Sequence, residues 1–477
     1  MYKPTIGLEI HIELKTKTKM FCGCLNDPDE KQPNVNVCPV CMGHPGTLPV
    51  INEEAVKKVI KTGLALNCQI AEYSKFERKS YFYPDLPKGY QISQWHQPFC
   101  KEGFLEIGGK KIKIRRIHLE EDTGKLLHPQ GADYSLVDFN RAGIPLMELV
   151  TEPDISSAKE AKEFAEELHL IVHYLDISDA DMEKGQMRVE VNISVTKGKE
   201  LGTKVEIKNL NSFRSVEHSI DYEIKRQIDL LNKGEKIIQE TRGWDDIKEV
   251  TFSQRQKEEA HDYRYFPEPD LPPLHFTKKE IEEIRDEIPE LPQKRKERLL
   301  KEYGLDKNSV NIFVYNKNLG EYFEGVIQEI KASVSKKELV KAIKRATNYL
   351  ITDLPGLMKK NNIPNRPSLE LFAKFIISIP EDKISSKGAK MVLEEMLKNR
   401  KDPSQIIQEE GLVQISDEAE IEKIIKEVIS ENQKVVQDYQ GGKESVLQFL
   451  VGQVMAKSKG KANPQTVNKL LKAILTR

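Results

Sequence analysis

The chain has 477 residues, 31% charged and 38% hydrophobic, which is typical of a folded globular protein with roughly two to four domains and excludes a disordered chain. Because 74 Lys and Arg residues balance 75 Asp and Glu residues, the net charge identifies no partner, and any nucleic-acid affinity must come from a local patch. No apolar run approaches the roughly 20 residues of a membrane span, and no signal-peptide core precedes the first motif, which predicts a cytoplasmic protein without membrane contact.

The first predicted element is a strand over residues 5–14, in which apolar and polar residues alternate. Its apolar positions are Ile6, Leu8, Ile10, Ile12 and Leu14. Because successive side chains of a strand point to opposite faces, Glu9 and His11 share the polar face. The two side chains are therefore candidates for one site.

Four of the six cysteines follow this strand in a knuckle over residues 22–41. Cys22-x-Cys24 and Cys38-x2-Cys41 bracket thirteen residues that contain turn signals. Four thiolates in two short knuckles suit tetrahedral Zn²⁺, and a fully occupied coordination sphere indicates a structural rather than catalytic ion. The alternative is a set of four unligated buried thiols.

Two segments, residues 78–85 and 262–267, combine aromatic rings with cations. Lys79 and Tyr81 in the first are candidates to hold the phosphates and base of a nucleotide. The alternative is an aromatic core beside a snorkelling Lys or Arg. The segment from Gly103 to Gly109 comes close to a Walker A loop, but Gly109 stands where the phosphate-binding Lys would be. Any ATP therefore binds without a P-loop.

Acidic residues cluster near predicted strand ends further along the chain. A Gly108-Gly109 hairpin leads into a strand over residues 111–120, which ends in Glu120-Glu121-Asp122, and Glu148 ends a later apolar run. With Glu9 and His11 these carboxylates would form an oxygen-dominated set with one imidazole, which suits Mg²⁺ or Mn²⁺. Taken singly, each carboxylate is more typical of a solvated surface group, so only their convergence would indicate a site.

Two more polar-faced strands and a capped helix complete this part of the chain. Ser157 and Glu160 predict a capping box at the start of a helix. Strands are predicted over residues 188–195 and 204–208. Their polar faces carry Arg188, Glu190, Lys204, Glu206 and Lys208.

Beyond Pro292 almost every apolar pattern has helical spacing, which predicts an α+β protein. A largely antiparallel sheet domain over residues 1–292 is followed by two all-α domains, over residues 293–406 and 407–477. No acidic residue occurs from Ser445 onward. The basic residues of this tail are Lys457, Lys459, Lys461, Lys469, Lys472 and Arg477. They form either a phosphate-binding patch or a solvated helix face.

Several long motifs resemble those of one family, the B subunits of aspartyl/glutamyl-tRNA amidotransferases. The motifs are Ile6-Gly7-Leu8-Glu9-Ile10-His11, Arg78 to Pro84, Tyr90-Gln91-Ile92-Ser93-Gln94, His118-Leu119-Glu120-Glu121-Asp122, Met147-Glu148-Leu149-Val150, Lys208-Asn209-Leu210-Asn211-Ser212-Phe213, Asp262 to Pro267 and Gly441 to Pro464. The resemblance implies ATP-dependent phosphorylation of the side-chain carboxylate of Glu-tRNA(Gln) or Asp-tRNA(Asn), followed by amidation with ammonia. It also implies a cradle-shaped catalytic domain, a helical domain and a tail domain that binds tRNA.

The resemblance further implies the site residues and the partners. His11, Glu120 and Glu148 would hold Mg²⁺ with Glu9 beside them, although Glu121 could replace Glu120 as the ligand. Glu190, Glu206, Arg188, Lys204 and Lys208 would contact phosphate and carboxylate groups. An amidase-type A subunit would supply ammonia, and a small C subunit would join the two. The alternative is a zinc-stabilised tRNA-binding scaffold whose partner performs the catalysis.

Overall fold

The protein is described here by a computed structural model that covers residues 2–198, 200–256, 262–380, 383–412, 418–458 and 462–475. The chain forms two compact units, Met1–Pro292 and Gln293–Arg477. The first contains the sheets and the second is helical, which confirms the predicted α+β class. No helix in the described residues is long and apolar enough to cross a membrane.

The strands of the first unit are β1 (Lys3–Glu13), β2 (Gln69–Ile70), β3 (Tyr73–Ser74), β4 (Glu77–Ser80), β5 (Tyr90–Ser93), β6 (Cys100–Ile107), β7 (Lys110–Glu121), β8 (Lys125–Leu127), β9 (Leu136–Asp138), β10 (Pro145–Thr151), β11 (Met187–Thr196), β12 (Val205–Leu210), β13 (Glu240–Asp245), β14 (Val250–Gln256), β15 (Phe266–Pro267) and β16 (Leu274–His275). The predicted strands over residues 5–14, 111–120, 188–195 and 204–208 correspond to β1, β7, β11 and β12.

Nine of the described strands form one sheet in the order β14-β13-β12-β11-β1-β10-β7-β6-β2. Every neighbouring pair is antiparallel except β12 and β13, which are parallel. A smaller sheet has the order β15-β4-β5, and β5 contacts β7. The sequence-distant strands β1, β10 and β7 are thus adjacent in the large sheet.

Three helices cover the apolar face of this sheet: α1 (Glu53–Ala65), α2 (Ala158–Tyr174) and α3 (Phe213–Asn232). The apolar residues that alternate along β1 are almost fully buried in the common core. Burying one face commits the polar side chains of the same strands to the other face. The fold therefore gathers the charged residues of the central strands on a single surface.

The hairpin predicted at Gly108 and the helix start predicted at Ser157 are confirmed, with one difference in the capping box. Gly108 and Gly109 connect β6 to β7 with φ values of 58° and 84°, the left-handed conformation that a two-residue hairpin needs. Ser157 caps α2 by accepting a hydrogen bond from the Glu160 N–H. The reciprocal half of the box differs, because the Glu160 carboxylate accepts from Ser156 N–H.

The helices after α3 are α4 (Lys278–Asp286), α5 (Pro292–Tyr303), α6 (Lys307–Tyr315), α7 (Lys317–Lys331), α8 (Lys336–Asn348), α9 (Leu354–Lys360), α10 (Leu369–Ser378), α11 (Ser386–Asn399), α12 (Pro403–Glu409), α13 (Glu418–Glu431), α14 (Gln433–Gln440), α15 (Leu447–Lys457) and α16 (Pro464–Leu475). A π-helical turn spans Tyr349–Asp353 and a 3-10 turn spans Glu444–Val446. The proposed boundary at residue 407 falls within α12, which packs against α10 and α11.

The last four helices share a hydrophobic cluster that includes Ile425, Leu450 and Leu471. Asn463 caps α16 by accepting hydrogen bonds from the N–H groups of Gln465 and Thr466. Lys457 forms ion pairs with Glu427 and Glu431. Three of the basic residues predicted for a tail patch, at positions 459, 461 and 477, lie outside the described residues.

Candidate active site

The strand register places four polar residues in one row across the centre of the large sheet. His118 on β7 lies opposite Glu148 on β10, and Glu148 lies opposite His11 on β1. His11 in turn lies opposite Arg188 on β11. Directly opposed side chains in antiparallel strands lie close enough to interact, so this row is one continuous polar surface.

The side chains in this row converge on Glu148. Its Oε2 atom lies 3.3 Å from His11 Nε2 and 3.4 Å from His118 Nε2. His11 Nε2 also lies 3.9 Å from a carboxylate oxygen of Glu120 and 3.9 Å from one of Glu9. We refer to Glu9, His11, His118, Glu120 and Glu148 as the carboxylate–imidazole cluster. His118, Glu120 and Glu148 are buried, whereas the side chains of His11 and Glu9 keep 15% and 30% of their accessible surface.

Opposite charges stabilise one another within this cluster. Burial alone would lower the pKa of His11, but the hydrogen bond and charge of Glu148 raise it to about 9. Burial would raise the pKa of Glu148, but the charge of His118 and the hydrogen bond with His11 hold it well below its usual range. Burial, followed by the charge of Glu148, raises the pKa of Glu9 to about 7. Against the effect of burial, the carboxylates thus raise the pKa of both imidazoles, and the imidazoles lower the pKa of Glu148.

The adjacent residues Glu120 and Glu121 point to different surroundings. Glu120 accepts a hydrogen bond from the Ser93 hydroxyl at 3.0 Å and faces the imidazoles. Glu121 instead forms an ion pair with Lys88 and accepts from the Ile92 N–H at 2.9 Å. The geometry therefore brings Glu120, and not Glu121, into the carboxylate–imidazole cluster.

The two aromatic–basic segments form one structure beside the cluster. The small sheet joins β15 to β4, and the Ser80 N–H donates to the Tyr263 carbonyl at 2.8 Å. Lys79 Nζ lies 5.2 Å from the centre of the Tyr263 ring and 6.0 Å from that of Tyr81. Burial would lower the pKa of Lys79, but the charges of Glu120 and Glu148 raise it. Lys79 is therefore a charged amine that faces the cluster from an aromatic enclosure.

On the β11 side, the predicted phosphate-binding residues are engaged with partners in the chain. Arg188 Nη2 lies 2.6 Å from Asp122 Oδ2. Lys208 Nζ lies 2.8 Å from Glu190 and 3.8 Å from Glu206. These ion pairs adjoin Glu9, which lies opposite Glu190 in the register. Lys204, grouped with these residues from its spacing, precedes β12 and is exposed.

Three residues of this surface lie outside the set selected from the sequence. His118 contacts Glu148 and Glu120, Arg116 Nη2 lies 3.7 Å from Glu148 Oε1, and the Trp95 ring stacks on Tyr265. Period-two spacing places Arg116 and His118 on the same face of β7 as Glu120, so extending the alternation would have found both. Trp95 follows β5 and carries no such signal.

The donor set of the cluster fits a hard divalent ion. Glu9, His11 and Glu148 form one group, and His118, Glu120 and Glu148 form another, each with its ligand atoms within 4.8 Å of one another. Carboxylate oxygens with an imidazole nitrogen suit Mg²⁺ or Mn²⁺. Glu148 belongs to both groups and is therefore the central candidate ligand.

The four cysteines of the knuckle also come together. Their sulfur atoms lie within 4.8 Å of one another, and the Cys38 N–H donates to the sulfur of Cys41 at 3.2 Å. A hydrogen bond with Cys22 lowers the pKa of Cys41 to about 4 against the effect of burial. Four converging sulfurs fit a structural Zn²⁺ site with no open position.

Comparisons with known proteins agree with this architecture. A family model described as the GatB/GatE catalytic domain matches residues 4–282, and one described as the GatB domain matches residues 321–475. Two proteins named as the B subunit of aspartyl/glutamyl-tRNA(Asn/Gln) amidotransferase, from Thermotoga maritima and Caldicellulosiruptor bescii, are 47% and 49% identical to the chain. Each alignment covers 99% of this chain, with 99% and 98% of the respective relative.

Proposed function

The chain belongs to the family of aspartyl/glutamyl-tRNA amidotransferase B subunits, and from this premise we propose that its polar sheet face activates the carboxylate of a misacylated tRNA. Members of this family are subunits of a tRNA-dependent carbon–nitrogen ligase. The proposed reaction phosphorylates the side-chain carboxylate of Glu-tRNA(Gln) or Asp-tRNA(Asn) with ATP and then forms the amide with ammonia. The observation that carries the proposal is the convergence of His11, Glu120 and Glu148 from three strands.

The chemistry requires activation because a carboxylate is anionic and has no usable leaving group. Transfer of a phosphoryl group gives an acyl phosphate, from which ammonia displaces inorganic phosphate. Negative charge crowds together during the transfer, so catalysis depends on fixed positive charge and on positioning. The sheet provides both, because its cations are held by ion pairs on rigid strands.

Three cluster residues, His11, Glu120 and Glu148, would hold the divalent ion, with Glu9 beside them. When bound, Mg²⁺ supplies charge that neutralises the phosphoryl oxygens. The imidazole of His118 contacts Glu148 and Glu120 and would orient both carboxylates. The zinc knuckle would hold the loop after β1, close to the strand that carries His11.

Lys79 would contact the transferring phosphoryl group from the small sheet, because its charge already faces Glu120 and Glu148. Tyr81 lies beside Lys79 and, with its neighbouring rings, offers an aromatic surface to a nucleobase. Arg188, Glu190, Glu206 and Lys208 would line the far side of the site, where the carboxylate substrate arrives. The exposed position of Lys204 gives it the weakest support in this group.

The remaining parts of the proposal concern partners. The tail helices α13 to α16 would bind tRNA, with Lys469 and Lys472 on α16 as basic contacts. An amidase-type A subunit would release ammonia from glutamine, and a C subunit would join the two. The predicted cytoplasmic location follows from participation in translation and stays part of the proposal.

The test uses the purified full chain with Glu-tRNA(Gln) or Asp-tRNA(Asn), ATP, Mg²⁺ and ammonium, without glutamine or other subunits. We expect release of inorganic phosphate that depends on the misacylated tRNA, together with formation of the amidated product. Free ammonium replaces the ammonia-supplying partner, so the assay isolates the chemistry of this chain. Binding of tRNA without phosphate release would instead favour the zinc-stabilised scaffold.

A further inference from the structure

Arg116 lies on β7 beside the carboxylate–imidazole cluster. Its Cζ atom is 4.1 Å from the centre of the Trp95 ring, and its Nη2 atom is 3.7 Å from a Glu148 oxygen. The side chain is 17% exposed, and its Nε atom is buried with no hydrogen-bond partner among the described residues. A buried donor without an acceptor is costly, so this arrangement requires a physical reason.

Three other arginines of this unit are differently arranged. Arg115, the preceding residue, donates to Glu152 through two nitrogens at 2.8 and 2.7 Å. Arg78 pairs in the same way with Glu268 at 2.7 and 2.8 Å. Arg188 donates to Asp122 at 2.6 Å. Each of these guanidinium groups is matched by a carboxylate within hydrogen-bond distance, whereas Arg116 is held mainly by an aromatic ring.

The aromatic support is itself fixed. The Trp95 ring stacks on Tyr265 with a centroid distance of 5.3 Å and an angle of 15°, and the backbone N–H of Trp95 donates to the Glu77 carboxylate at 3.0 Å. A guanidinium that stacks on a ring uses its face and leaves its in-plane N–H groups available. Those groups suit an oxyanion that accepts two parallel hydrogen bonds.

We propose that Arg116 is a further catalytic residue that donates hydrogen bonds to the phosphoryl group during its transfer. The inference rests on the proposed function. In that step a carboxylate oxygen of the substrate forms a bond to the γ-phosphorus of ATP. The bond to the β,γ-bridging oxygen breaks, and ADP leaves with the electron pair. Arg116 keeps its proton and stabilises the oxygens that gain charge.

The location of Arg116 selects the phosphoryl group over the amino acid as its ligand. Arg116 contacts Glu148, which belongs to both candidate ligand groups for a hard ion. A hard ion held by Glu148 would supply charge that neutralises phosphate oxygens, so we expect the anion beside Glu148 to be a phosphate. Trp95 is a positioning residue, since it holds Arg116 without reaching the reacting atoms.

The experiment compares Arg116→Ala with Arg115→Ala in the full chain. Arg115 is the matched control because it is exposed and pairs with Glu152 away from the cluster. We expect Arg116→Ala to lower kcat for phosphate release by about 10²- to 10³-fold, with partial rescue by added guanidinium. Mn²⁺ affinity, measured by electron paramagnetic resonance, and tRNA affinity should stay close to wild type, and Arg115→Ala should match wild type in all assays.

Three outcomes would overturn the inference. The first is near-normal phosphate release by Arg116→Ala. The second is a parallel loss of Mn²⁺ affinity, which would mean that Arg116 acts only by positioning Glu148. A second variant, Arg116→Lys, keeps the charge and can be tested even if the alanine variant fails to fold. Full activity of Arg116→Lys is the third outcome, because the planar donors of the guanidinium group would then be unnecessary. Wild-type chain that releases no phosphate would instead refute the proposed function together with this inference.

Discussion

The cysteine knuckle and the carboxylate–imidazole cluster are assembled in opposite ways. The four cysteines come from one stretch of twenty residues and meet through tight local turns. The carboxylate–imidazole cluster comes from β1, β7 and β10, and more than a hundred residues separate His11 from Glu120 and Glu148. A local group is specified by spacing, whereas a dispersed group is specified by strand register. Mutations in the cysteine knuckle should therefore lower the stability of the protein, and mutations in the carboxylate–imidazole cluster should lower its activity.

The largest effect is expected from Glu148→Gln. Glu148 contacts both imidazoles and belongs to both candidate ligand sets within the carboxylate–imidazole cluster. Phosphate release should fall by about 10³-fold, since the neutral amide removes a charged ligand at nearly the same volume. Affinity for tRNA and zinc content should be unchanged. Glu152→Gln is the matched control, because its carboxylate pairs with Arg115 outside the cluster. An equal loss of tRNA binding in Glu148→Gln would contradict a purely chemical role.

Variants of the adjacent residues Glu120 and Glu121 test which of the two carboxylates is the metal ligand. We expect Glu120→Gln to lower Mn²⁺ affinity and phosphate release by about 10²-fold, because Glu120 faces His11. Glu121→Gln should instead lower the free energy of unfolding by about 1–3 kcal/mol, because it leaves the buried Lys88 amine without its partner. Isothermal titration with Mn²⁺ and urea denaturation separate the two effects. A reversed result would move the ligand role to Glu121.

Loss of the zinc knuckle should act on stability first. Cys38→Ser should remove bound zinc, measured by atomic emission, and lower the thermal midpoint by roughly 5 °C or more. Cys68→Ala is the matched control for zinc content, because Cys68 is a buried thiol outside the knuckle. If Cys38→Ser keeps its zinc, or loses it without any change in the midpoint, the structural role is wrong.

The smallest effect is expected at Lys204, which period-two spacing groups with Lys208. Because Lys204 is exposed and precedes β12, Lys204→Ala should change phosphate release by less than about twofold. Lys208→Ala should have a clearly larger effect, since it leaves Glu190 and Glu206 without their shared cation. Similar effects in the two variants would contradict this expectation. They would show that both lysines on the polar side of the predicted strand contribute to the site, whether or not they form ion pairs.

The sequence predicts the alternation of β1 and β11, the Gly-Gly hairpin and the cysteine group because each depends on neighbouring residues. It leaves Glu120 and Glu121 unresolved, because the choice depends on where β7 meets β5 and β10. It also offers no signal for Trp95, whose partner Tyr265 lies 170 residues away. Long-range pairings of this kind follow from the folded sheet and not from local spacing.

The position of β1 between β10 and β11 delays its pairing during synthesis. The first strand emerges from the ribosome long before its partners, which end at Thr151 and Thr196. At typical elongation rates this delay is roughly 10–40 s, during which β1 has an exposed apolar face and two unpaired edges. We therefore expect slower translation of the residues between β1 and β11 to increase aggregation of the new chain.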